Sequence, residues 1–168
     1  MTDSISEAGS TCEAVIAAAD FPVFVVTTRA GEETSGCLVG FTAQVSINPL
    51  RFLVGLSQRN HTHRVAQRAE RLNVHLLGQD QVELAALFGS ETGDEIDKFA
   101  RCAWHPDSTG LPVLSAAAGW FGGKILERHD FGDHTVMLLA PDTGVAPPAD
   151  VETLRFLMVD HLEPGHDA

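Results

Sequence analysis

The side chains that could do chemistry here are eight histidines, three cysteines and a run of arginines, and their spacing decides what that chemistry can be. His61 and His63 stand two apart, and His129 and His134 five apart. No cysteine or carboxylate set accompanies them in sequence, so no metal centre is expected and surface histidines are the simpler reading. Cys12, Cys37 and Cys102 are odd in number, widely separated and without a Cys-x-x-Cys pair, which points away from a disulfide framework and a thiolate zinc site. Cys37 lies in an apolar stretch with no neighbouring base and reads as a buried thiol rather than a nucleophile. Neither a Gly-x-Gly-x-x-Gly turn nor a Gly-Lys-Ser/Thr loop occurs, which removes the usual nucleotide-binding signals. Positive charge concentrates in one place: Arg51, Arg59, Arg64, Arg68 and Arg71, with His61 and His63, face the single acid Glu70. That stretch reads either as a solvated basic helix face or as a site for a small anion.

Composition bounds the rest. The chain has 168 residues, 44% of them apolar and 20% charged, which suits one soluble domain with a real core. Its 11 basic residues against 23 acidic ones leave a net charge of −12, so neither nucleic acid nor an anionic membrane surface is expected as a partner. No apolar stretch approaches the roughly 18 residues of a membrane span. Residues 1–9 carry Asp3 and Glu7 but no Lys or Arg, so no export signal is expected, and with unpaired cysteines the expected compartment is the cytoplasm.

The elements that must position these residues follow from periodicity and punctuation. A first helix is expected from Ser10, with Glu13 completing a capping box, to Ala19, where Asp20 and Pro22 stop it. Residues 21–28 and a run from Thr34 read as a hairpin, and residues 41–47 and 51–56 as two further strands about the turn Asn48-Pro49. Residues 63–71 read as a helix capped by Asn60 or Thr62, residues 72–77 as a strand, and residues 80–88 as a helix with Asp80 and Glu83 at capping-box spacing and Gly89 as its stop. A short helix over 94–100 and a loop over 104–110 follow, then strands at 116–128, 135–140 and 153–160. Residues 1–20 are thus expected as a helical segment, 21–162 as the domain, and 163–168 as a loose tail. Strands joined by short turns, with helices grouped in the middle, predict an α+β fold: a small antiparallel β-barrel with a few peripheral helices.

Three segments carry more than composition. The first is Ser35-Gly36-Cys37-Leu38-Val39-Gly40-Phe41-Thr42-Ala43-Gln44-Val45-Ser46-Ile47-Asn48-Pro49; an apolar strand follows, then Arg59-Asn60-His61-Thr62-His63, and later Gly132-Asp133-His134. In order and spacing these resemble the flavin reductase family with the FMN-binding split barrel. Its members carry Gly-x-Thr-x-Asn-Ser-Phe-x-Ser-Val-Ser-x-Asp-Pro, an Arg-x-Ser-x-Thr-type turn into a helix, and Gly-Asp-His before a strand.

The resemblance implies a split barrel, FMN as cofactor, NAD(P)H as co-substrate, and a homodimer with the flavin at the subunit interface. Cys37, Leu38, Val39 and Gly40 would offer main-chain groups to the flavin ring, Gln44, Val45 and Ser46 would follow the ribityl chain, and Arg59, Asn60 and Thr62 would meet the phosphate. That last assignment agrees with the anion reading of the basic stretch. His134 would lie near the nicotinamide, or else serve as a turn residue bonded to Asp133. The implied activity is NAD(P)H-dependent reduction of FMN, with a monooxygenase among the acceptors of reduced flavin. The chain departs from the pattern at Leu38, Gly40 and Phe41, where the family has Thr, Asn and Ser, and at Asn60 and His75, where it has Ser and Asn. FAD or a deazaflavin therefore stay open as ligands, and a non-catalytic flavin-binding module as the alternative.

Overall fold

Runs of Val, Phe, Leu and Thr separated by polar turns build a single curved sheet. In the computed structural model, which describes residues 2–165, the chain forms α1 (Thr2–Ala18), β1 (Phe24–Ala30), β2 (Glu33–Val39), β3 (Thr42–Ser46) and β4 (Arg51–Ser57). It continues through α2 (His61–Ala66), β5 (Arg71–Leu76), α3 (Val82–Ser90), β6 (Trp104–Pro106), β7 (Pro112–Leu114), β8 (Gly119–Phe131) and β9 (His134–Val145). Seven strands pair antiparallel in the order β2-β1-β5-β8-β9-β4-β3. The two edges, β2 and β3, follow one another in the chain across Gly40 and Phe41 yet do not pair, so the sheet rolls into a barrel that stays split. The fold is α+β, a split barrel with peripheral helices.

Adjacent residues of β1 serve opposite faces, as the pleat requires. Val26 points into the barrel with Val54, Leu72, Val74, Met137 and Leu139. Val25 points outward into a second apolar cluster that α3 covers through Ala85 and Phe88, joined by Leu77, Leu114 and Leu154. Burial on both faces explains why β1 and β5 read as near-continuous apolar runs.

Several elements differ from expectation for identifiable reasons. The first helix starts at Thr2 rather than Ser10, since no proline interrupts residues 2–18, and Ser10 falls inside it. Helix α2 ends at Ala66, because Arg128 reaches across to donate to the carbonyls of Ala66 (3.1 Å) and Ala69, and Arg71 begins β5 instead. Asp80 does not cap α3: its N-cap is Gln81, whose side chain accepts the Gly78 N–H, and the helix runs through Gly89. Residues 94–100 yield only a 3-10 turn, Lys98–Arg101, and within residues 104–110 a short strand appears, pairing β6 with β7 around Asp107. No strand forms over 153–160. Apart from single bridges at Thr153 and Arg155, that segment folds as the 3-10 turn Phe156–Met158, because the Asp20 carboxylate takes the Leu157 N–H at 3.0 Å. The expected loose tail is tied at Gly165, whose N–H donates to Gly89 O at 3.1 Å; residues 166–168 lie outside the described residues. Among the described residues no helix is long and apolar enough to cross a membrane.

Candidate functional site

Strand register brings two of the sequence segments together. Pairing of β4 with β9 sets Ser57 opposite His134, and the Gln58 N–H donates to Asp133 O at 2.9 Å, so the Gly132-Asp133-His134 turn lies against the Arg59-Asn60 turn. The end of β2 closes on the same place. The result is a cleft of about 300 Å³, with Cys37, Leu38, Val39, Gly40 and Phe41 on one side, Gly55, Leu56, Ser57, Asn60 and His134 on another, and Phe21, Phe88 and Gly89 behind.

Six of the residues singled out from sequence therefore meet: Cys37, Leu38, Val39, Gly40, Asn60 and His134. Five others do not line the cleft. Gln44, Val45 and Ser46 sit on or beside the β3 edge, where Gln44 Nε2 donates to Ser46 O at 3.2 Å and Gln44 lines a separate depression with Leu50, Phe52 and Phe121. Thr62 is 1% exposed and its hydroxyl shares a hydrogen bond of 2.9 Å with Ser35. Arg59 is exposed at the mouth, close enough to help hold the Asp133 carboxyl low.

The cleft's polar groups are few and oriented. Asn60 Oδ1 accepts the Thr62 N–H at 2.8 Å, the cap that starts α2. His134 Nδ1 lies 2.7 Å from Asp133 Oδ1, and a hydrogen bond from His134 keeps that carboxyl below the usual carboxylate range. With Nδ1–H donating to the carboxylate, Nε2 is the nitrogen left for another partner. The Phe41 ring, 58% exposed, tilts over the imidazole at 4.8 Å. Burial pushes the Cys37 thiol pKa up, which agrees with an unreactive cysteine.

Beside the cleft, His63 Nε2 lies 2.8 Å from Thr135 Oγ1, whose hydroxyl donates to Asp130 at 2.6 Å; burial lowers the His63 pKa. This chain of contacts ties α2 to the β8–β9 hairpin. Among the described residues no group of three or more His, Cys, Asp or Glu is arranged to hold a metal ion.

Sequence reasoning missed two contributors. Lys98, 5% exposed, donates to Gly36 O at 3.2 Å and Phe88 O at 3.1 Å, stitching β2 to the end of α3. Phe156, Val159, Leu162 and Pro164 close a further wall of the cleft. The three-residue spacing of Phe156, Val159 and Leu162 was a visible signal for them.

The donor set suits a flat, mostly apolar ring with a hydrogen-bonding edge. β2 is an edge strand, so alternate main-chain groups along it lack a strand partner. The walls also need missing side chains: a Cβ at Gly40 would lie 2.6 Å from the Phe21 ring, and one at Gly89 3.0 Å from Leu38.

Comparison with known proteins bears on the family and the fold. Residues 17–156 match the family described as flavin reductase like domain. The FMN reductase (NADH) RutF of Agrobacterium fabrum is 31% identical over 69% of the chain and 66% of its own length. The reductase subunit HsaB of a Mycobacterium tuberculosis flavin-dependent monooxygenase is 27% identical over 76% of the chain and 66% of its own. The chain thus spans just under two thirds of each of these relatives. Among solved structures, the NADH:FAD oxidoreductase of Streptomyces globisporus C-1027 superposes with TM-score 0.74 at 25% identity, covering 81% of this chain and 80% of that one. An FMN-binding protein from Thermus thermophilus superposes with TM-score 0.70 at 26% identity, covering 74% and 71%.

Proposed function

The chain belongs to the flavin reductase like family, and from that premise we propose that it transfers hydride from a reduced nicotinamide nucleotide to FMN held in the cleft. One observation carries the reading: the end of β2 and the Gly132-Asp133-His134 turn, far apart in sequence, share one apolar cleft beside the cap of α2. Main-chain groups of residues 37–40 would meet the ring edge, with Asn60 and exposed Arg59 toward the phosphate. FMN, when bound, supplies the hydride acceptor that no side chain of this protein can provide.

The protein's own residues orient and exclude. Leu38, Phe41 and Leu56 line the cleft with apolar surface that keeps water from the reacting face. Asp133 fixes the tautomer of His134, leaving Nε2 to hydrogen-bond an incoming nicotinamide nucleotide and set its approach.

NADH is the favoured nucleotide, because the relatives' names specify it. A monooxygenase is the favoured partner, taking electrons from the reduced flavin, by analogy with the HsaB subunit. A homodimer is proposed from the apolar surface on the open side of the sheet: Phe24, Trp120, Phe121 and Val145 line one depression, and Leu50, Phe52 and again Phe121 line its neighbour. We take residues 21–162 as the domain and the cytoplasm as its setting, a reading supported by three cysteines without disulfide partners.

A second reading, a flavin-binding module without turnover, draws on the apolar Leu38 and Phe41 where side-chain donors would otherwise stand. Titration with FMN followed by stopped-flow mixing with NADH and NADPH separates the two. Saturable binding with rapid bleaching of the flavin by either nucleotide is expected. Binding without bleaching favours the module, and no binding with no flavin-dependent nucleotide oxidation defeats both.

A further inference from the structure

One wall of the cleft comes from a segment that none of the three sequence motifs marks. From Leu154 to Gly165 the chain runs as a strap across the mouth of the second apolar cluster, and it is tied along its length. Leu154 accepts the Val23 N–H at 3.3 Å and donates to Leu77 O at 2.9 Å, the Phe156 N–H donates to Phe21 O at 2.9 Å, and the Gly165 N–H donates to Gly89 O at 3.1 Å. Asp20 latches the middle: its Oδ2 accepts from Arg155 Nε at 2.9 Å, and its Oδ1 accepts the Leu157 N–H at 3.0 Å. Asp20 has φ +43°, a left-handed conformation that Asp tolerates better than most residues, and the chain bends there into β1.

Between these ties the strap presents apolar surface to the cleft. Phe156 stacks on Phe21 with ring centroids 4.8 Å apart and planes 24° apart, and Val159, Leu162 and Pro164 continue the wall. Leu38, one of the positions where the family pattern calls for a polar residue, packs into the same cluster as Phe88, Phe156, Val159 and Leu162. Leu38 thus serves as an apolar partner of the strap. Most of the strap also lies beyond the segment matched to the family, which ends at residue 156.

We propose that this strap is a ligand-binding wall that holds the flavin as a retained group rather than an exchanging substrate; the proposal rests on the flavin reading above. A flat ring gripped between the β2 side of the cleft and the strap can leave only when the strap lifts, so loosening the strap should speed dissociation. Releasing the Asp20 latch should therefore free the flavin without removing any residue that lines the cleft.

Asp20→Gly deletes both latch contacts while suiting the positive φ, and Arg155→Gln deletes only the ion pair. Loaded wild-type protein is expected to keep FMN through gel filtration. In stopped-flow displacement, Asp20→Gly should release FMN on the order of tenfold faster than wild type, as expected for losing hydrogen bonds to a charged group, with Arg155→Gln between the two. Wild-type protein that sheds FMN on the column, or an Asp20→Gly release rate within about twofold of wild type, overturns the proposal while leaving FMN binding itself intact. If Asp20→Gly does not fold, Arg155→Gln decides by the same comparison. Equilibrium titration of wild type with FMN reports on the flavin reading separately: no saturable binding overturns that reading and the strap's role with it.

Discussion

Replacing His75 by Asn should remove a large part of the protein's sensitivity to mild acid. His75 is fully buried in β5; the Leu114 N–H donates to its Nε2 at 3.2 Å, so Nδ1 carries the proton and donates to Val25 O at 2.9 Å. Both ring nitrogens are occupied by main-chain groups, and a second proton on Nε2 would face a donor. Burial accordingly pushes the pKa down from 6.5 to about 4. Because the folded value lies below the unfolded one, the unfolded chain binds the extra proton first. The stability this site contributes is complete above pH 6.5 and is lost as the pH falls toward 4. At about 1.4 kcal/mol per pH unit, the loss is about 2 kcal/mol at pH 5 and about 3 kcal/mol near pH 4.

Urea denaturation at a series of pH values, followed by fluorescence of the two tryptophans, of which Trp120 has its ring 6.4 Å from His75, reads this directly. The wild type should lose about 2 kcal/mol more than His75→Asn between pH 7 and pH 5. His63, whose pKa burial also lowers, contributes in the same direction to both proteins and cancels in the difference. Parallel loss in the two proteins would show that His75 does not titrate as its surroundings require.

Other substitutions probe the cleft and the surface. His134→Ala should lower flavin-dependent NADH oxidation by about 10²-fold or less, while FMN affinity by fluorescence titration changes little, since the residue is assigned to nucleotide approach. Gly40→Ala puts a methyl 2.6 Å from the Phe21 ring and should cost about 1–3 kcal/mol in denaturant unfolding while also weakening FMN binding. Val145→Asp, at a position 59% exposed on the proposed dimer face, should leave the unfolding midpoint of the subunit unchanged while weakening self-association by at least about tenfold in sedimentation, because a charge would be buried without a partner.

The parts of the fold readable from sequence were those specified locally. β1, β4 and β5 follow from apolar runs bounded by turn residues, and the α2 cap follows from Asn60, since an N-cap is a contact between residues two apart. What sequence could not show depended on distant groups. Residues 153–160 look like a strand because Leu154, Phe156 and Met158 alternate with other residues, but a carboxylate more than a hundred residues earlier claims the Leu157 N–H and turns the chain. Lys98 reads as a surface lysine until β2 and α3 supply two carbonyls for its amine.

The site divides the same way. Cys37 to Gly40 and His134 were singled out by resemblance to a motif, and they line one cleft where the end of β2 closes on the β4–β9 pairing that sets Ser57 opposite His134. Gln44, Val45 and Ser46 were assigned by the same motif, yet β3 pairs with β4 through Gln44 and Phe52 and carries them along an outer edge.

The central claim is that FMN occupies the space between the end of β2 and the His134 turn. A crystal structure of the protein grown with FMN measures this directly. Ring density should lie against the main chain of residues 37–40, with His134 at its rim and the phosphate toward Asn60. Ring density anywhere else on the protein, with that cleft unfilled, would contradict the account.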